Sequence, residues 1–187
     1  KEQCGGVKQQ DGTVSLPKEL EHSLLRYALV EIVNLYDEGL TFEPIHRVIF
    51  GADAQDMISF LQQKLGGTIL SCSTPQELQD RVEHSSSAFG FIAPKNSFTC
   101  LDTEVSGLAV SALQPLLDEY IAAHRLEIDY IHGAEEAFRL PQHKDAVSLL
   151  LPPIEKDSFF STIAEQGSLP RKSFSMGEAS EKRFYLE

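Results

Sequence analysis

Between Ile45 and Ala93 the chain keeps a rhythm: short apolar or β-branched runs alternate with longer amphipathic stretches, and turn-forming residues separate them. A run of about six such residues has the length of a strand and is too short for a stable helix. Ile45 to Phe50 is the first of these strands. Ala52 to Leu65 reads as a helix, with Asp53 able to cap it and Met57, Phe60, Leu61 and Leu65 on one face. Gly66-Gly67 supplies the stop. Thr68 to Cys72 is strand-like. Thr74, Pro75 and Glu77 then open a second helix through His84, with Leu78 and Val82 turned inward. Ala88 to Ala93 is a strand, and Ser97 to Leu101 pairs with it across the turn Pro94-Lys95-Asn96. Strands alternating with helices predict at least one parallel crossover unit.

The pattern continues downstream. Ser111 to His124 places Leu113, Leu116, Leu117, Tyr120 and Ile121 at helical spacing. Glu127 to Ile131 alternates as a strand, and Gly133 to Leu140 is a short helix. Ala146 to Leu151 is a strong strand ended by Pro152-Pro153, Ile154 to Gln166 is a helix closed by Gly167, and Arg183 to Leu186 is a weak terminal strand. Upstream, Leu24 to Leu35 is apolar at both alternating positions, which fits a strand covered on both faces or a buried helix. The acidic stretch from Asp118 to Glu136 reads as a solvated face. The expected architecture is α/β to α+β, a mixed β-sheet with flanking helices. The expected organisation is a flexible lead-in over 1–22 and a single mixed α/β domain over 23–187.

Composition narrows the function. At 42% hydrophobic residues the chain has enough apolar surface for a packed core. A formal charge of −12 argues against duplex DNA as a partner, because such binders gain affinity by displacing phosphate counterions with Lys and Arg. No apolar run approaches the roughly 20 residues that cross a bilayer, and the polar, Gly-rich beginning shows no signal peptide. Cys4, Cys72 and Cys100 are odd in number and scattered, without CxxC spacing, and read as reduced thiols of a cytoplasmic protein.

Two segments put a Pro ahead of a cationic cluster. In Pro44-Ile45-His46-Arg47, at the entrance of a strand, His46 and Arg47 are expected to point to opposite sides. Arg47 offers a fork of donors suited to phosphate or carboxylate; the structural alternative pairs it with Glu43 or Asp37. In Gly167-Ser168-Leu169-Pro170-Arg171-Lys172-Ser173, side chains and backbone amides of an ordered loop are able to hold an anion; the alternative is a solvated basic loop. The spacing is not that of a phosphate loop. His132 ends a strand ahead of a helix, a position used both for sites and for caps. His46, His132 and His143 lack metal-ligand spacing, and no metal is expected.

Taken in order, RYALVEIVNLYDEGLTFEPIHRVIFG, EIDYIHG, AVSLLLPPI and GSLPRKSFSMGEASEKRFYLE resemble a family known as domain of unknown function 1015. The likeness runs from Arg26 to Glu187 and is looser between Ala52 and Glu119. Some members are labelled ParB-like or sporulation-related, and the family is similar to a group containing DNA-segregation proteins and nucleotide-binding small-molecule kinases. The resemblance implies an upstream Asp-Gly-(His/Asn)-His-type segment that would precede Lys1, so the chain reads as the C-terminal portion of a larger protein. It also implies a Met-Pro-x-Lys-Ser-Thr pattern. Leu169 to Ser173 keep its core, while Phe174 stands in place of the Thr and no further Lys follows closely.

Three functions follow from these readings. The first is a nucleotide- or phosphometabolite-binding domain of a phosphotransferase-like enzyme, with Arg47, His132, Arg171, Lys172 and Ser173 binding ligand and His46 as the catalytic candidate. The second is a non-catalytic regulatory module with a protein or nucleic-acid partner. The third is a structural half that forms homo-oligomers.

Overall fold

The computed structural model describes residues 32–176 throughout and, upstream of them, 7–8, 14–15, 18, 22–24, 27, 29 and 30. The chain divides into two compact units, Lys1–Asn34 and Leu35–Glu187. In the first, β1 (Val7–Lys8) pairs antiparallel with β2 (Val14–Ser15), inside the stretch for which the sequence predicts no element. The strand expected over Leu24 to Leu35 does not form at its described residues. Leu29 and Ile32 lie outside any helix or strand, Leu24 sits in a 3-10 turn, and all three are exposed. Two-sided apolarity specifies that cover is needed without specifying a pairing partner, and none of the described strands pairs with this run.

The second unit is a sheet with helices on both faces. Its elements are β3 (Phe42–Phe50), α1 (Ala54–Leu65), β4 (Thr68–Cys72), α2 (Pro75–Glu83), β5 (Ala88–Ala93), β6 (Ser97–Asp102), α3 (Ala109–His124), β7 (Glu127–His132), α4 (Ala134–His143), β8 (Ala146–Leu150), α5 (Lys156–Gln166) and β9 (Phe174–Met176). The strands lie in the order β4-β6-β5-β8-β3-β7, and β9 pairs with the start of β3. The terminal strand expected over Arg183 to Leu186 lies outside the described residues.

Local chemistry sets the helix ends. Asp53 accepts the Asp56 amide at 2.8 Å and Gly66 ends α1 at φ 74°. Thr74 caps α2 through the Glu77 amide at 3.1 Å, while Glu77 reaches back to the Ser73 amide at 2.8 Å, a capping box shifted by one residue.

The parallel crossover expected from the strand–helix rhythm is made in split form, with its two parallel strands never adjacent. Every pairing among the described strands of the sheet is antiparallel. The registers show why. β4 and β5, joined by α2, run the same way, but β6 lies between them. β7 and β8, joined by α4, also run the same way, with β3 between them. Each helix therefore leaps one strand further than a parallel neighbour would require, and the gap is filled by an antiparallel strand, which the linear pattern does not record.

The alternation of side chains along each strand sorts them onto two cores. Ile49, Phe89, Phe91, Val147 and Leu149 pack with Met57 and Leu61 of α1 and Leu113 and Leu117 of α3. Ala88, Ile92, Cys100 and Leu150 pack with Leu78 and Val82 of α2 and Ala137 of α4. β5 lacks a side chain at Gly90, where a Cβ would sit 3.0 Å from Val82 and 3.2 Å from both Leu78 and Leu150; α2 seats closely on the sheet there. Gly67 is the tighter constraint. At φ +93° it presses against the Asp102 carbonyl, so both its dihedral and the space beside it demand glycine. Gly67→Ala is expected to destabilise the protein by roughly 2 kcal/mol or more in urea unfolding, from combined strain and clash. A change below 0.5 kcal/mol would show that β4 shifts freely against β6.

Candidate functional site

Register places His46 and Arg47 on opposite faces of β3. Arg47 pairs with Tyr130 of β7 and Leu149 of β8, on the face covered by α1 and α3. It is fully buried at 0% exposure. A guanidinium there needs partners for its donors, and it has them. Nε and Nη2 donate to Gln114 Oε1 of α3 at 3.2 and 3.0 Å, Nη1 donates to the Ile45 carbonyl, and Nη2 also donates to the Lys172 carbonyl at 3.0 Å. The Tyr130 ring lies under the guanidinium, its centroid 5.4 Å from Cζ. Burial pulls the Arg47 pKa down to about 10, with Tyr130 opposing that shift, so the side chain stays charged at neutral pH.

The partners of Arg47 close on themselves. Gln114 Nε2 donates to Asp118 Oδ1 at 2.9 Å. Asp118 in turn accepts both terminal nitrogens of Arg171 at 3.1 and 2.8 Å, and Arg171 Nε donates to the Tyr130 hydroxyl at 2.9 Å. The ring Arg47–Gln114–Asp118–Arg171–Tyr130 thus joins β3, α3, β7 and the loop before β9. The expected partners of Arg47, Glu43 or Asp37, are not the ones it uses. Asp118, expected on a solvated face, is half-buried and serves as the bidentate acceptor for Arg171. Nothing in the linear sequence marks Gln114 and Asp118. Their (i, i+4) spacing on a helix with an inward face is the only trace.

The loop from Leu169 to Ser173 is a built turn. Ser173 is buried and donates its hydroxyl to the Pro170 carbonyl at 2.6 Å, while Lys172 takes a left-handed conformation at φ 56°. The Lys172 carbonyl is thereby turned in to Arg47, and Lys172 lines a cavity of about 440 Å³ with Ile45, Tyr130, His132, Phe174, Ser175 and Met176. Arg47, His132, Arg171, Lys172 and Ser173 are thus gathered at one corner from segments far apart in sequence.

His46 is not in that corner. Its ring faces α2 and α4, is 6% exposed, and accepts the Leu151 amide on Nδ1 at 3.2 Å. Burial, then the charge of Arg47, then His132 hold its pKa down to about 4, so the ring is neutral at pH 7. Among the described residues no three His, Cys, Asp or Glu side chains gather to hold a metal ion, and no helix is long and apolar enough to cross a membrane. Cys72 and Cys100 are buried free thiols, and burial pushes the Cys100 pKa up to about 11, away from the reactive thiolate.

An antiparallel sheet split by helical crossovers, with a satisfied arginine at its centre, defines the class as an α/β sandwich of helices around one sheet. The same fold occurs in a conserved hypothetical protein from Pyrococcus furiosus, at TM-score 0.60 and 16% identity over 80% of this chain and 61% of that one. It also occurs in free serine kinase variants solved with AMP (TM-score 0.60, 13% identity, 79% of this chain and 58% of that one) and with ADP (0.60, 14%, 79% and 58%). The chain spans about three fifths of the length of these structures. No curated protein matches it. The chain belongs to the family described as protein of unknown function (DUF1015), whose model matches residues 9–120. The corner's loop and β7 lie beyond that span.

Two measurements follow from this geometry. Gln114→Leu removes the acceptor of two guanidinium nitrogens and leaves a buried charge short of partners, so it is expected to cost about 3 kcal/mol of unfolding free energy; a loss under 1 kcal/mol would mean that Arg47 is held by its carbonyls alone. His46 titrates near 6.5 when unfolded and near 4 when folded. The stability it confers is therefore complete above about pH 6.5 and is lost as pH falls towards 4, by an amount of order 3 kcal/mol. His46→Gln is expected to flatten that part of the stability–pH curve, and a variant curve parallel to the parent's would contradict the assignment.

Proposed function

We propose that this chain forms the phosphate-binding part of a nucleotide-dependent, phosphotransferase-like protein, with the ligand's phosphate held between Lys172 and His132. One observation carries the reading. Among the described residues Lys172 is the cation of the corner whose side chain has neither an ion pair nor a hydrogen bond, and it lines the 440 Å³ cavity beside His132. Arg171 is engaged by Asp118 and Arg47 by Gln114, so these two act by position and field and not by direct contact. Three cations around one carboxylate leave the corner positive on a chain whose formal charge is −12. Such a local reversal of sign concentrates a small anion while the rest of the surface repels polyanions.

The chemistry fits phosphate in particular. Phosphoryl transfer asks a protein mainly for positioning and charge neutralisation, and an ammonium group on a fixed backbone supplies both. Arg47 fixes that backbone by binding the Lys172 carbonyl, and the hydroxyl of Ser173 closes the turn beneath it. Tyr130 holds both guanidinium groups, one by its ring and one by its oxygen. The free serine kinases that share the fold were solved with AMP and ADP, which supports a nucleotide as the ligand class. The chain spans about three fifths of those structures, so the transfer step itself is assigned to the whole protein. The regulatory reading with a nucleic-acid partner draws no support from a charge of −12.

Calorimetry with ADP and the full chain tests this. Lys172→Ala is expected to weaken binding by about tenfold or more, while Lys172→Arg retains part of the affinity. Thermal stability is expected to change little, because the Lys172 side chain has no ion pair to lose among the described residues and alanine tolerates the left-handed backbone no worse than lysine. Equal ADP affinity in the parent and Lys172→Ala would exclude this corner as the phosphate site.

A further inference from the structure

The ring around Arg47 has two arms that meet on the carboxylate of Asp118 in α3. Oδ1 accepts Gln114 Nε2 at 2.9 Å and Arg171 Nη2 at 2.8 Å, and Oδ2 accepts Arg171 Nη1 at 3.1 Å. Both arms end on Lys172. One runs through the side chain of Arg171, the residue just before Lys172 in the chain. The other runs through Gln114 to Arg47, which donates to the Lys172 carbonyl at 3.0 Å.

The second arm depends on the sense of one amide group. Arg47 offers only donors to it, and the Asp118 carboxylate only acceptors. Gln114 lies between them at 2% exposure, so its amide satisfies both neighbours in one orientation: Oε1 towards Arg47 and Nε2 towards Asp118. Turned over, it sets its NH2 against a guanidinium and its carbonyl against a carboxylate. Without Asp118 the buried NH2 loses its acceptor, and the pull that keeps Gln114 seated beside Arg47 is gone from one side.

Charge and position make opposite demands on Asp118. By its charge it opposes an anionic ligand, because removing a carboxylate from beside three cations raises the local potential and releases the Arg171 fork. By its hydrogen bonds it holds the loop that carries Lys172. We infer that Asp118 is the positioning residue of the Lys172 corner, fixing that loop from two sides, and that this outweighs the repulsion it adds. The effect on affinity rests on the reading of Lys172 as the phosphate ligand; the positioning is a property of the protein alone.

The test is calorimetry with ADP on the full chain, at a temperature where circular dichroism shows every variant folded. Asp118→Ala, at a helix position that alanine suits, is expected to raise the Kd about fivefold or more although it removes a negative charge. Adding Gln114→Glu to Asp118→Ala gives Arg47 a carboxylate that accepts in either orientation, and is expected to recover part of that loss. Charge alone predicts the reverse order at both steps. The NMR signal of Arg47 Nε–H, read without nucleotide, is expected to exchange with water faster in Asp118→Ala and to slow again in the double variant. Where Lys172→Ala weakens ADP binding, the inference is overturned by an Asp118→Ala affinity equal to or above the parent's, or by no recovery in the double variant. Where Lys172→Ala leaves ADP binding unchanged, the phosphate reading falls and the exchange rate decides the positioning: a rate that Asp118→Ala does not alter overturns it.

Discussion

The structure depends on one buried charge. Arg47 sits at the middle of the longest strand with no exposure to water, and a guanidinium in that position destabilises the fold unless its donors are met. Meeting them recruits the amide of Gln114 from α3 and the carbonyl of Lys172, which lies 125 residues away along the chain. The same contact therefore docks a helix on the sheet and ties the loop before β9 to the strand beneath it. Breaking it costs more than two hydrogen bonds, because what remains is an unpaired cation in an apolar layer.

That constraint also decides which cation is left for a ligand. Arg171 is the more conspicuous residue, yet its fork is filled by Asp118 and Tyr130. Lys172, next to it, presents its carbonyl to Arg47 and lines the cavity, and its backbone there is left-handed. Neighbouring residues of β3 divide the chemistry in the same way. The pleat sends Arg47 into the hydrogen-bonded corner and His46 to the face covered by α2 and α4, so one strand serves two different polar environments.

Much of the fold is legible in the sequence, and the limits are physical. The caps at Asp53 and Thr74, the Gly66 stop and the hairpin at Pro94-Lys95-Asn96 are local chemistry, and each element appears within a few residues of its expected bounds. Strand order is not local. The crossover itself is legible in β4–α2–β5, but nothing there says that β6 is inserted between its two parallel strands. The apolar run before Leu35 fails for a related reason, since hydrophobicity states a need for cover but names no partner. At the site, Pro44 to Arg47 and Pro170 to Ser173 stand out by composition, whereas Gln114 and Asp118 look like ordinary helix residues. Their importance comes from contacts distant in sequence, of Gln114 with Arg47 67 positions earlier and of Asp118 with Arg171 53 positions later, which no motif records.

The chain belongs to the DUF1015 family and shares its fold with free serine kinase structures solved with AMP and ADP, at identities of 13–14% that support the architecture alone. The corner supplies what that likeness does not, a specific lysine on a backbone held by a buried arginine. A crystal structure of the full chain with ADP tests the claim most directly. The account expects a phosphate oxygen within about 3 Å of Lys172 Nζ, with the Arg47–Gln114–Asp118–Arg171 ring intact behind it. A nucleotide whose phosphates lie elsewhere on the molecule, with Lys172 turned to solvent, would contradict it.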